Sequence, residues 1–265
     1  MPKFAANLSM LFTEHPFLER FERAKAAGFQ AVEFLFPYEY DISAIARELR
    51  RNELEQVLFN LPAGNFAVGD RGMANDPSRI GEFRIGVAEG LKIATELRCG
   101  RLNCLAGLRL ADVPEATQSE TLIENLRYAA DAAARVGVLQ VIEPLNVFDA
   151  PGYFVPTPDV GFAIVERAAH PNLLLQYDIY HSQRMSGNLA ATITARINQI
   201  GHVQIADSPA RHEPGTGEIN YPFVLQVLDD AGYDGWVSLE YRPKDTTESS
   251  LTWLSEMGYW PAARA

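Results

Sequence analysis

Four residues with oxygen-bearing side chains stand at the ends of short apolar runs in the second half of the chain. Glu143 follows Val141-Ile142 and precedes Pro144, and Asp178 ends Leu175-Gln176-Tyr177-Asp178. Gln204 lies in His202-Val203-Gln204-Ile205, and Glu240 ends Val237-Ser238-Leu239-Glu240. On neighbouring parallel strands these runs aim three carboxylates and one carboxamide at a common rim. Converging carboxylates repel one another, and a divalent cation relieves the repulsion. Ligands made only of oxygen suit a hard ion such as Mg²⁺ or Mn²⁺. A lone acid at a strand end is commonly a helix N-cap. Capping does not account for polar residues at four successive strand ends.

Other side chains fall near this set. His181 lies three residues past Asp178, placed either to open a helix or to touch a substrate oxygen beside the metal. Arg211 and His212 belong to a long loop and are candidates for holding a substrate carboxylate; Arg242 and Lys244, just past Glu240, have a similar standing. His15, His170 and His202 read as structural or exposed. Cys99 and Cys104 have no paired base in the sequence and read as buried, inert thiols. No Gly-x-Gly-x-x-Gly follows a strand, and Walker A and Gly-x-Ser-x-Gly patterns are missing, so nucleotide cofactors and a serine acyl hydrolase lack support.

The elements that must position these residues alternate. Strand-like runs cover 3–8, 31–34, 56–60, 101–105, 138–143, 173–178, 202–205 and 236–240. Between them, apolar residues recur at helical spacing over 16–27, 41–51, 79–97, 115–135, 158–168, 188–200, 221–230 and 247–257. Strict βα alternation means a parallel sheet, and eight units in 265 residues fit a closed (β/α)₈ TIM barrel in one domain, residues 1–265. An open doubly wound sheet is the rival, but eight similar units suit closure better. Gly28 and Gly232 each sit where a helix should end before a strand. The strands that follow end alike, in Val32-Glu33-Phe34 and Leu239-Glu240-Tyr241, a weak internal repeat of one βα step. Two long Gly/Pro-rich loops, 61–76 and 206–220, follow the third and seventh strands, on the face where such barrels build their sites.

Composition narrows the function. The chain is 47% hydrophobic and 22% charged, with a net charge of −11, and it lacks the basic footprint of a nucleic-acid binder. An anionic small substrate needs only a few local cations. Two cysteines do not make a disulfide framework or a structural zinc site. No secretory leader opens the chain and no apolar run approaches about 18 residues, so a cytoplasmic location without a membrane span is expected.

Several segments carry a family likeness: Phe4-Ala5-Ala6-Asn7-Leu8-Ser9-Met10-Leu11-Phe12, Ala31-Val32-Glu33-Phe34-Leu35-Phe36-Pro37-Tyr38 and Phe59-Asn60-Leu61-Pro62-Ala63-Gly64-Asn65. The most specific is His202-Val203-Gln204-Ile205-Ala206-Asp207, continuing through Arg211-His212-Glu213-Pro214-Gly215 to Gly217-Glu218-Ile219-Asn220-Tyr221. In these the chain resembles the hydroxypyruvate isomerase family of xylose isomerase-like barrels over nearly its full length.

The resemblance implies that Glu143, Asp178, Gln204 and Glu240 hold the metal, with Glu143 and Glu240 as the acid/base pair. It implies a reversible isomerisation of hydroxypyruvate and tartronate semialdehyde through an enediolate, the metal acting as Lewis acid. Related members act on 2-oxo-tetronates, one carbon longer. One departure stands out: the family's fourth strand usually carries a His before Met-Ala-Gly, where this chain reads Leu102-Asn103-Cys104-Leu105-Ala106-Gly107. The expected partner is a small hydroxy or oxo acid, with room for a homo-oligomer. Ketose epimerases share the barrel and the enediolate but place a His at the position of Gln204. A metal-dependent endonuclease of abasic DNA needs several zinc ions and many His ligands, against five His here. A non-catalytic sugar-acid sensor would be free to lose Glu143 or Glu240, and both are present.

Overall fold

A computed structural model describes residues 1–260. Nine strands form one parallel sheet: β1 (Lys3–Asn7), β2 (Ala31–Glu33), β3 (Glu55–Gln56), β4 (Phe59–Asn60), β5 (Arg101–Cys104), β6 (Leu139–Ile142), β7 (Leu173–Asp178), β8 (Ile200–Ile205) and β9 (Trp236–Leu239). Their order is β3-β2-β1-β9-β8-β7-β6-β5-β4. The two ends of that order, β3 and β4, are pieces of one expected strand, interrupted at Val57-Leu58. The interrupted segment closes the barrel: Val57 N–H bonds to Val32 O (3.0 Å) on one side, and Leu61 N–H to Asn103 O (2.8 Å) on the other. Eight positions therefore surround the axis, as in a (β/α)₈ barrel.

Long helices cover the outside, chiefly α2 (Ile42–Arg51), α3 (Ile80–Leu97), α4 (Glu115–Ala134), α5 (Pro158–Ala168) and α8 (Tyr221–Asp230) after the shorter α1 (Arg20–Ala26). Several starts follow local chemistry. Asp41 accepts Ser43 N–H, Thr157 caps α5 ahead of Pro158, and Asn220 caps α8. Two boundaries differ from expectation. The helix expected over 188–200 ends as α7 (Leu189–Arg196) and a 3₁₀ turn, so that β8 begins at Ile200. The helix expected over 247–257 divides into α9 (Thr247–Ser250) and α10 (Thr252–Glu256).

Strand period two decides what fills the barrel. Residues facing outward join the main apolar core with the helices. Those facing inward include a small apolar layer of Ala5, Ala31, Val57, Leu58 and Val141. Above it, two steps further along each strand, the interior turns polar: Asn7 follows Ala5, Glu33 follows Ala31, and Glu143 follows Val141. A bulge keeps β8 in phase: Leu175 pairs with Ile200, but Gln176 pairs with His202. The extra residue is Gly201, where a Cβ would come within 2.9 Å of Leu174 and Val141 side-chain atoms. Past it, His202 and Gln204 both point into the barrel.

Candidate active site

The carboxyl ends of the strands place Glu143, Asp178, Gln204 and Glu240 together, all buried. Each of the two glutamates is tethered through one oxygen by an asparagine of the adjacent strand. Asn103 Nδ2 donates to Glu143 Oε2 at 2.9 Å, and Asn7 Nδ2 donates to Glu240 Oε2 at 3.2 Å. Glu143 Oε1 has no partner. Burial, reinforced by Asp178, pushes the Glu143 carboxyl up to about 8. Burial likewise holds Glu240 well above the usual carboxylate range, against the pull of Arg211.

Asp178 does two things at once. Its Oδ1 accepts Tyr180 N–H (2.8 Å) and His181 N–H (3.3 Å), capping a helix that the sequence reading did not separate, α6 (Ile179–Met185). Its Oδ2 is buried without a partner. Burial pushes Asp178 up to about 6, opposed by Arg211 and by the two cap hydrogen bonds. The N-cap reading and the ligand reading of this residue are therefore compatible, one oxygen each.

His181 sits over the same cavity. Its Nδ1 accepts Asn146 N–H at 3.1 Å, which leaves the ring proton on Nε2, 3.6 Å from Asp178 Oδ2. Burial holds the ring well below the usual histidine range, with Arg211 and Arg184 adding to that, so the imidazole is neutral. Glu143, Asp178 and His181 bring ligand atoms within 4.8 Å of one another, a group that could hold a metal ion. Two buried, orphaned carboxylate oxygens beside the cavity fit a hard cation.

Gln204 joins the cluster with its amide turned from the expected sense. Its oxygen accepts from Gln176 Nε2 (2.5 Å), and its NH₂ faces Glu33 Oε1 (2.6 Å) and Glu240 Oε2. An oxygen offered toward a cation requires the amide to rotate.

Loop 206–220 delivers Arg211. Asp207 pins the loop by accepting four main-chain N–H groups, those of Ser208, Gly215, Gly217 and Ile219, at 2.9–3.1 Å. Gly217 is required there, because a Cβ would lie 2.0 Å from Ser208 O. Arg211 adopts a left-handed backbone (φ 61°). Its Nη2 lies 2.6 Å from Glu240 Oε1 and 3.6 Å from Asp178 Oδ2, and its Nη1 lies 3.9 Å from Asp149. His212, its neighbour, is turned aside onto Arg242 O (2.8 Å) and does not line the cavity.

Two residues escaped the sequence reading. His202, read as structural or exposed, is fully buried with Nε2 2.6 Å from Glu33 Oε2. Burial disfavours the Glu33 carboxylate, yet His202, together with hydrogen bonds from Gln204 and Ser238, holds the group below its ordinary range. Glu33 in turn accepts from Asn7 (2.8 Å) and Gln204, fixing two of the three side chains that touch Glu240. The echo between Val32-Glu33 and Leu239-Glu240 was the signal that could have found it.

The xylose isomerase-like TIM barrel family matches residues 21–257. The chain belongs to that family. It is 48% identical to a hydroxypyruvate isomerase of Escherichia coli strain K12, over 96% of this chain and 98% of the relative. It is 47% identical to a 2-oxo-tetronate isomerase of Cupriavidus necator, with the same coverage. A crystal structure from Brucella melitensis, described as an AP endonuclease of family 2, superposes with a TM-score of 0.94 at 47% identity, covering 97% of this chain and 99% of that one. These relatives bear out the expected barrel and the expected enzyme class: the chain is an isomerase. Among the described residues no helix is long and apolar enough to cross a membrane.

Proposed function

We propose that this isomerase interconverts hydroxypyruvate and tartronate semialdehyde by moving a proton between adjacent carbons with Glu143 and Glu240. The observation that carries the reading is the pair itself. Two buried glutamates line one cavity of about 150 Å³, each with one oxygen tethered by an asparagine from the neighbouring strand. A cavity this small suits a ligand of a few heavy atoms.

One glutamate takes a proton from C3, the hydroxymethyl carbon, and the electron pair forms the C2–C3 double bond of an enediolate. The other glutamate, or the same one, delivers a proton to C2. The O3 hydroxyl gives up its proton and the O2 oxygen gains one, so no oxidant or reductant is consumed. Raised glutamate pKa values suit groups that accept and return protons near neutral pH. The His181 Nε2–H is a fixed donor for a substrate oxygen. Glu143 and Asp178, joined by Gln204 and Glu240, would hold Mg²⁺ or Mn²⁺, which supplies Lewis acidity to oxygens on the reacting carbons.

The near-equal identities to the two kinds of isomerase make four-carbon 2-oxo acids the second substrate class to test. The endonuclease reading has less support. The chain carries five histidines and a net charge of −11, and among the described residues one potential metal-holding group stands out, with a single histidine in it. The test is proton NMR of hydroxypyruvate and of a 2-oxo-tetronate in D₂O with protein and Mg²⁺, beside an EDTA control. Metal-dependent formation of the aldehyde with deuterium at C2 is expected. No interconversion or exchange of either acid with metal present overturns the proposal.

A further inference from the structure

The cavity is acidic, which raises a question for an anionic substrate. Glu143, Asp149 and Glu240 line it, and Asp178 lies beside them. Arg211 also lines it, but its guanidinium is already shared among Glu240, Asp178 and Asp149. That charge is spent inside the protein.

One further cation reaches the cavity: Arg71, from the other long loop, 61–76. Among the described residues no carboxylate lies within ion-pair distance of it. Its neighbour Asp70 is committed elsewhere, to Arg79 Nη1 (3.0 Å) and to Asn65 N–H (2.8 Å). Arg71 is nevertheless held in place. Nη1 donates to the main-chain carbonyl of Asp70 at 2.7 Å, and the guanidinium packs 4.6 Å from the ring centroid of Phe66. Phe66 in turn meets Phe36 edge to face, and both rings line the cavity. The backbone beside it is fixed as well. Gly72 (φ 102°) donates to Ala63 O at 2.9 Å, and a Cβ there would lie 2.1 Å from Leu105 O.

We propose that Arg71 binds the substrate carboxylate, and so selects 2-oxo acids over neutral sugars. The inference rests on the reading that the substrate is a small 2-oxo acid. A guanidinium offers five N–H donors, and one of them is used here, leaving a fork that matches a carboxylate. The stacking on Phe66 and the carbonyl tether order the side chain before ligand arrives, which lowers the entropy lost on binding. The bland alternative is a residue that only props Phe66 in the loop. This placement moves the carboxylate contact from loop 206–220, where Arg211 and His212 were expected to make it, to the opposite loop.

The experiment compares wild type, Arg71→Met and Arg71→Lys, all loaded with Mg²⁺. Turnover of hydroxypyruvate is measured, together with calorimetric binding of glycerate and glycerol, which differ by a carboxylate against a hydroxymethyl group. Arg71→Met is expected to raise both the KM for hydroxypyruvate and the Kd for glycerate by about 10- to 100-fold, the worth of one charged hydrogen-bonded pair. Arg71→Lys should recover part of the loss, and glycerol binding should be alike in all three proteins. A Kd for glycerate that is unchanged in Arg71→Met overturns the proposal. So does wild type that binds glycerate no better than glycerol. Equal losses for glycerate and glycerol, with a lowered Tm, would assign Arg71 to propping the loop. If wild type binds glycerate through Arg71 yet turns over no 2-oxo acid, the functional reading fails while the carboxylate site stands.

Discussion

The rim of the barrel divides into two unlike arcs. At or next to their ends, strands β1, β2, β4 and β5 carry Asn7, Glu33, Asn60 and Asn103, whereas the ends of β6 to β9 bring Glu143, Asp178, Gln204 and Glu240. One arc is three carboxamides and an acid, and the other is three acids and a carboxamide. The single acid of the first arc is bound to His202 and lines no part of the cavity. The arcs meet at two seams, β5 beside β6 and β9 beside β1, and at each seam an asparagine donates to a glutamate. The two arcs divide the labour of the site. In the proposed reaction the second arc carries the groups that exchange protons, and the first supplies the asparagines, Asn7 and Asn103, that hold two of those groups still.

The harshest way to break that division is to neutralise an acid. Glu143→Gln and Glu240→Gln should each lower kcat by about 10²- to 10⁴-fold while the protein stays folded, since the amide keeps the shape but cannot take up and return a proton. Circular dichroism and steady-state turnover check this together. A large loss in only one of the two variants would assign both proton steps to that residue.

A milder cut removes the tether and leaves the acid. Asn103→Ala deletes the hydrogen bond to Glu143, and Asn7→Ala deletes one to Glu240 and one to Glu33; each should lower kcat by about 10-fold, with KM moving less. The two effects should be similar because the seams are similar. A silent Asn7→Ala beside a damaging Asn103→Ala would mean that Arg211 and Gln204 suffice to fix Glu240.

Much of this was legible in the residues. The βα alternation gave the barrel, and the acids at strand ends gave the second arc, because period two and chain order are local properties of sequence. The closure at Val57-Leu58 was not legible, because it depends on hydrogen bonds to strands far apart in the chain. Nor was the first arc. Asn7, Asn60 and Asn103 are unremarkable until the barrel sets them beside Glu143 and Glu240, although Asn103 could be noticed as a departure from the family's His. The roles within loops were the least legible. Arg211 and Arg71 are both loop arginines in sequence, and only the carboxylates gathered around Arg211 distinguish a spent charge from a free one. The amide of Gln204 illustrates the same limit, since its orientation is set by Gln176 and Glu33 from other strands.

The smallest expected effect tests the register on which the first arc depends. Asn103 and Cys104 are consecutive in β5 and face opposite ways: Asn103 reaches Glu143, while Cys104 packs in the apolar layer under the helices. Cys99, just before the strand, is buried in that same layer, its Sγ 3.2 Å from Arg101 O. Burial pushes both thiols up to about 12, so the protonated form persists through neutral pH and the thiolate gains tenfold for each unit of rise. At pH 8 the reactive fraction is about 10⁻⁴ of either thiol. A disulfide reagent such as Ellman's should therefore titrate no thiol in the native protein at pH 8 and two after denaturation. Turnover should be unchanged by the native treatment. Rapid labelling of Cys104 with loss of activity would place the thiol on the cavity side, turn Asn103 outward, and remove the tether from Glu143.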